Sequence, residues 1–146
     1  MSIDMELLLD SVKHVESRGN PNAVSPKGAK GPYQFMDATA EEYGVKNPFD
    51  ETESRAGAKR YLTNLMGQFG GDVESAIAAY NGGPGRLKER GSISAMPEET
   101  RNYLSQVMGH YSKLAMAGGD SQFDGQSQEP VAAVESLFPG AEGTRR

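Results

Sequence analysis

Asp4-Met-Glu-Leu-Leu-Leu-Asp-Ser-Val-Lys-His-Val-Glu16-Ser-Arg-Gly19-Asn-Pro21 is the stretch from which the fold is read. Met5, Leu9 and Val12 recur at spacings of four and three, with Leu8 and Val15 beside them, which is the pattern of one helix face. Glu16 continues that row. Gly19 can take the left-handed conformation just past a helix end, and Pro21 cannot extend the hydrogen-bond ladder, so the helix stops there. Packing against the row would partly desolvate Glu16 and disfavour its charged form, and the negative end of the helix dipole acts in the same direction. Both effects raise its pKa from an ordinary value of about 4.3, and a carboxyl group kept neutral near pH 7 can serve as a general acid. The competing reading, a solvated Glu at the edge of the stripe, is the commoner fate of a Glu at a helix end.

Beyond this helix, residues 19–34 form a loop with repeated glycine and proline, whose backbone can approach a ligand closely and wall a cleft. A short helix is expected from Asp37 to Tyr43. A longer one begins at Asp50, which with Glu53 resembles a capping box, and its face is Ala58, Tyr61, Leu62, Leu65, Met66 and Phe69. Gly70-Gly71 ends it and Asp72 can cap the next helix, where Val73, Ala76, Ile77 and Tyr80 form a buried stripe before Asn81-Gly82-Gly83-Pro84-Gly85 breaks it. The last strong helix starts with Pro97 in its first position, followed by Glu98 and Glu99, and buries Tyr103, Leu104, Val107, Met108, Tyr111 and Leu114. No segment alternates with period two, so the class is mainly α with at most a small β element. Residues 1–117 form the folded domain. From Gly118 the composition shifts to Gly, Ser, Gln, Glu and Pro, and 118–146 reads as a flexible tail or linker.

A chain of 146 residues can fold on one hydrophobic core. It has no cysteine, and its two histidines, His14 and His110, lie far apart in sequence with no ligand spacing, so no metal or other cofactor is expected. The net charge of −5 argues against nucleic acid as a partner, and the local basic groups Lys27/Lys30 and Arg86/Lys88/Arg90 read as solvated surface. No apolar run is long enough to span a bilayer, and Met1 to Asp10 is not a signal peptide. The expectation is therefore a soluble monomer that does not direct its own export and does not insert into membranes.

Motif order narrows the chemistry. Glu16-Ser17, Asn20-Pro-Asn-Ala-Val-Ser25, Gly28, Gly31-Pro-Tyr-Gln34-Phe-Met36 and Ala38-Thr39-Ala40 resemble the first two motifs of the soluble lytic transglycosylase catalytic domain, which has a lysozyme-like fold. Asn47-Pro-Phe-Asp50, Ala56-Gly-Ala58, Phe69-Gly-Gly-Asp72, Ala78-Ala-Tyr80-Asn81-Gly-Gly-Pro-Gly85 and Glu99-Thr-Arg-Asn-Tyr103-Leu104 continue the resemblance in order, from about residue 7 to 112. The resemblance implies a helical domain with a substrate groove that cleaves the β-1,4 bond between N-acetylmuramic acid and N-acetylglucosamine in peptidoglycan. By position, Glu16 resembles the family's acid and base. Ser25 resembles the serine that contacts this carboxylate and the sugar's acetamido group, and Gln34 and Met36 match cleft residues. Tyr80 matches a tyrosine near the acid and Glu99 an acidic groove residue, and Asn81 and Tyr103 complete the substrate-binding set. Core packing is the competing reading for Met36, Tyr80 and Tyr103, and ordinary turn chemistry for Ser25 and Asn81.

Two departures stand out. The family usually has Gly-Leu-Met-Gln where this chain has Gly31-Pro32-Tyr33-Gln34, so Tyr33 is expected to change groove shape. Asp37 replaces the family's proline; it suits a first helical turn, but in the cleft it would position water and favour a hydrolytic lysozyme. A peptidoglycan-binding module or virion component without turnover is the other alternative. The missing signal and the final motif resemble wall-degrading domains of bacteriophages, released by lysis or carried in the virion to the periplasmic wall.

Overall fold

The computed structural model describes residues 2–119, so most of the expected tail, 118–146, lies outside the described residues. Six α-helices follow one another: α1 (Met5–Ser17), α2 (Asp37–Glu42), α3 (Glu51–Gln68), α4 (Val73–Gly82), α5 (Pro84–Arg90) and α6 (Glu98–Gly119). A short 3-10 turn, Ile93–Ala95, joins α5 to α6. The β content of the described residues is two isolated antiparallel bridges, Val24 with Lys30 and Lys30 with Phe35, which fold the 19–35 loop back on itself. The mainly helical expectation with a small β element matches this arrangement.

α4 lies at the centre. Every residue from Ala76 to Asn81 is buried, as expected of a helix apolar on all sides. α3, α5 and α6 pack against it, and α1 closes the other side of α6. Leu8, Leu9 and Val12 of α1 and Leu62 and Leu65 of α3 are wholly buried, each burial stabilising by roughly 1.5–3 kcal/mol. Tyr43, Tyr61 and Tyr80 form a chain of tilted rings with centroids 4.9 and 5.1 Å apart, joining the end of α2 to α3 and α4. His14 and His110, distant in sequence, meet where α1 packs on α6, their rings parallel and 4.0 Å apart. Parallel stacking does not aim two nitrogens at one ion, and among the described residues no cluster of His, Asp and Glu could hold a metal. None of the described helices is long and apolar enough to cross a membrane.

Several helix ends differ from the sequence reading. Gly19 takes the expected left-handed conformation with φ 82°, but Arg18 before it is left-handed as well, with φ 55°. Only half of the expected capping box forms. Asp50 accepts from the Glu53 N–H at 2.9 Å, but the Glu53 carboxylate turns to the backbone N–H groups of Lys46 and Asn47. Asp72 starts α4 without capping it through its side chain, because its carboxylate accepts the Ser75 hydroxyl instead. Pro97 precedes α6 rather than opening it. The Gly83-Pro84-Gly85 stretch, read as a break alone, holds a turn at Gly83 (φ 95°) and then starts α5 at Pro84, whose fixed φ suits a first helical position.

Candidate active site

Glu16 stands in the last turn of α1 and is wholly buried. The row of Met5, Leu9 and Val12 carries it inward, and with Leu8 and Val15 beside it fixes the helix against the core. The sequence reading expected partial desolvation, and the structure makes it complete. Glu16 lines a cavity of about 220 Å³ with Ser17, Arg18, Ala23, Val24, Ser25, Pro26 and Gln34. Three of the residues singled out from sequence, Glu16, Ser25 and Gln34, therefore meet.

The loop places the other two by local hydrogen bonding. Ser25 starts a tight turn in which its N–H donates to the Ala29 carbonyl at 2.9 Å and its Oγ accepts the Ala29 N–H at 3.0 Å. Gln34 is 1 % exposed, and its Nε2 donates to the carbonyls of Gly31 at 2.9 Å and Ala23 at 3.2 Å, tying these two parts of the loop together. Its backbone has φ 53°, a left-handed conformation costly for a residue with a Cβ. Among the described residues, the non-glycine residues with positive φ are Arg18 and Gln34, and both line the Glu16 cavity. Backbone strain of this kind persists where surrounding structure holds it, and it clusters at functional sites.

The remaining predicted residues lie outside this cavity wall. Met36 is half-buried at the start of α2. Tyr80 is 1 % exposed and donates its hydroxyl to the Tyr33 carbonyl at 2.8 Å, so it braces the loop from behind. Asn81 is buried, and its Oδ1 accepts the Thr100 hydroxyl at 2.9 Å, which orients the amide. Glu99 is half-buried in the first turn of α6, and Tyr103 packs in the core.

The sequence matches the transglycosylase SLT domain family over residues 2–103. The chain belongs to that family. It is 32% identical over 103 residues to a protein named transglycosylase of Enterobacteria phage PRD1, a match covering 70% of this chain and 38% of that protein. It is 37% identical over 133 residues to peptidoglycan transglycosylase gp16 of Escherichia phage T7, covering 81% of this chain but 10% of that protein. Among solved structures, the 70-kDa soluble lytic transglycosylase of Escherichia coli superposes with a TM-score of 0.65 at 25% identity, over 79% of this chain and 22% of that one. This SLT domain thus spans well under half of the phage proteins and of the solved chain it matches.

Both departures from the family pattern lie outside the Glu16 cavity, and Asp37 takes the first-turn position that its sequence suits. The Tyr33 ring does not line the Glu16 cavity. It is wholly buried, and its hydroxyl accepts from Arg55 at 2.8 Å and donates to Glu51 at 3.3 Å, both on α3. Asp37 does not join Glu16 either; it pairs with Lys30 at 3.1 Å and lines a separate, open cavity of about 650 Å³ with α2 and residues 44–49. The basic groups divide similarly: Lys30 is used by Asp37, and Lys88 of α5 lies over the Phe69 ring and bonds Gln68. Sequence reasoning missed Arg18 as a wall residue. The signal was its place between Glu16 and Gly19, where a helix end turns left-handed.

Proposed function

We propose that this SLT domain is a peptidoglycan lytic transglycosylase with Glu16 as its one catalytic carboxylate. The carrying observation is a fully buried Glu at a helix end, sharing a small cavity with Ser25 and the strained Arg18 and Gln34. Burial and the helix terminus both favour the neutral carboxyl that a general acid needs. Glu16 protonates the oxygen bridging N-acetylmuramic acid to N-acetylglucosamine, and the bond to the muramoyl anomeric carbon breaks. The substrate's acetamido group, facing Ser25, stabilises the developing positive charge. Glu16, now ionised, takes the proton of the muramoyl C6 hydroxyl as that oxygen closes a 1,6-anhydro ring on the anomeric carbon. No water is consumed, Glu16 regains its proton, and the steps call for no cofactor. Gln34, Met36, Asn81 and Glu99 hold the glycan or shape its groove, and Tyr80 and Tyr103, packed in the core, support that wall from behind.

The hydrolytic alternative requires a second carboxylate beside the first. Asp37, its sequence-level candidate, lines a different cavity and is held by Lys30, so the single-carboxylate reading is favoured. The likeness to phage transglycosylases supports action on the bacterial wall with the glycan strand as partner; the proposal further takes the domain to act as a monomer, within a virion or a lysis system.

Product analysis on purified peptidoglycan tests this. The native protein should yield anhydro-muramoyl ends, lighter by one water than reducing ends, and Glu16→Gln should lower clearing of walls by at least about a thousandfold. Reducing ends from the native protein, or undiminished clearing by Glu16→Gln, would refute it.

A further inference from the structure

We propose that Tyr33 and Arg55 form a tether that sets Gln34 relative to Glu16, making Tyr33 a positioning residue of the cleft. The inference rests on the reading of Glu16 and Gln34 given above. The peptide joining Tyr33 to Gln34 is the one whose rotation would relieve the left-handed strain at Gln34. Both its polar atoms are held: the Tyr33 carbonyl accepts from Tyr80 Oη at 2.8 Å, and the Gln34 N–H donates to the Gly31 carbonyl at 3.1 Å. The Tyr33 side chain supplies a third hold, because its phenol sits on Nη1 of Arg55.

That guanidinium ties the loop to the helix carrying the acid. Nη1 also donates to Asp10 at 2.9 Å, and Nη2 donates to the Glu6 carboxylate at 2.9 Å and to the Glu6 carbonyl at 3.1 Å, all on α1. Burial works against the charge on Arg55, but its hydrogen bonds to Glu6, Asp10 and Tyr33 outweigh that and hold it protonated above its ordinary range. Asp10 lies six residues before Glu16 on the same rigid helix, about 9 Å along its axis. The guanidinium thus links the helix bearing the acid to the residue next to Gln34. A lysine at position 55 keeps the charge but not the planar fork that reaches the phenol and two carboxylates together. A methionine at position 33, the residue in the Gly-Leu-Met-Gln pattern, has no hydroxyl and would give Arg55 no such hold on the loop.

The test compares Tyr33→Phe, Arg55→Lys and the double variant in the full chain, with Glu16→Gln as the inactive reference and Lys59→Gln as a charge control touching only Glu6. Thermal unfolding and kcat/KM on soluble glycan strands are measured for each, with the pH dependence of kcat. Each single variant should lose about tenfold in kcat/KM while remaining folded at the assay temperature. The double variant should lose no more than the worse single one, since the two side chains act as a unit, and the pH profile should keep its shape. Lys59→Gln should match the native rate. A Tyr33→Phe or Arg55→Lys protein that melts earlier but keeps kcat/KM within about twofold overturns the tether, as do losses that multiply in the double variant. Activity surviving in Glu16→Gln would instead strike the site reading itself and the tether with it.

Discussion

Gly28 and Gly31 offer a matched pair of backbone perturbations in the loop that places Ser25 and Gln34. Both have positive φ, 96° and 83°, so alanine at either position carries the same left-handed strain, about 1–2 kcal/mol. They differ in space. A Cβ on Gly28 meets nothing within 4 Å, whereas one on Gly31 would lie 1.8 Å from the Pro48 carbonyl oxygen and 2.6 Å from its carbon. Both obstacles are backbone, so the 31 and 48 segments must part by about 1 Å or more. That movement strains the Gly31 N–H to Ala23 bond of 2.8 Å and the two bonds that Gln34 makes to the Gly31 carbonyl, each with a net value of about 1 kcal/mol. Gly31→Ala should therefore cost about 3–5 kcal/mol and Gly28→Ala about 1–2. At about 3–6 °C per kcal/mol for a domain of this size, the two melting temperatures should differ by roughly 10 °C. Urea unfolding monitored by circular dichroism gives the free energies, and wall-clearing rates of the folded fraction give the functional cost. Displacing Gln34 by this amount should lower activity of Gly31→Ala roughly a hundredfold and leave Gly28→Ala near the native rate. Equal destabilisation of the two variants within about 0.5 kcal/mol would show that the approach to Pro48 does not constrain the loop.

Desolvation, only partly opposed by the Arg55 hydrogen bond, raises the Tyr33 phenol well above its ordinary value of 10.0. With the folded-state pKa above the unfolded one, stability is fully present below pH 10 and falls as pH rises past it, by about 1.4 kcal/mol per unit for this one proton. Tyr33→Phe should remove that component, so alkaline unfolding curves of the two proteins should converge above pH 10, and parallel curves would refute the assignment. Thr100→Val removes the hydroxyl that bonds the buried Asn81 Oδ1 and should cost about 1–3 kcal/mol in urea unfolding, with Thr100→Ser restoring most of it. Equal stability of the Val and Ser variants would show that the bond contributes nothing.

Legibility from sequence followed the range of the interactions involved. α1, α3 and α6 could be read because each buries one continuous stripe, and a stripe is a local pattern. The small β element at 24–35 was bounded only as a class, since its bridges depend on how Gly28 and Gly31 turn the chain. α5 was missed because Gly83-Pro84-Gly85 carries both a stop and a start signal, and the stop was read alone. Glu16 was placed by its row, but its complete burial needed the loop folded across the helix end. Ser25 and Gln34 came from motif order and could not have come from spacing, because a left-handed residue at 34 contradicts every local preference of glutamine. Tyr33 was expected to alter the groove because it neighbours Gln34 in sequence, and Asp37, which suits a first helical turn, was weighed as a cleft carboxylate on the same ground. Nearness in sequence does not set side-chain direction: Tyr33 turns to α3, and Asp37 takes the first turn of α2 and pairs with Lys30.

The strain at Gln34 bears on how the cavity is prepared for a ligand. A left-handed residue with a Cβ costs about 1–2 kcal/mol, and the loop relaxes unless its restraints together exceed that. Here the restraints are the two Gln34 amide bonds, the Gln34 N–H to Gly31, the Tyr80 hydroxyl on the Tyr33 carbonyl, the Arg55 hold on the phenol and the close approach of Gly31 to Pro48. At about 1 kcal/mol net for each hydrogen bond, these exceed the strain by several kcal/mol. The restraints also come from three directions, α1 through Arg55, α4 through Tyr80 and the 48–49 segment, so they set the peptide's position jointly, and loosening one shifts it without releasing the turn. A wall over-determined in this way exists before a ligand arrives. On the proposed reading of the site, binding free energy is then not consumed in ordering the loop, and the fold itself fixes the gap between Glu16 and a bound glycan.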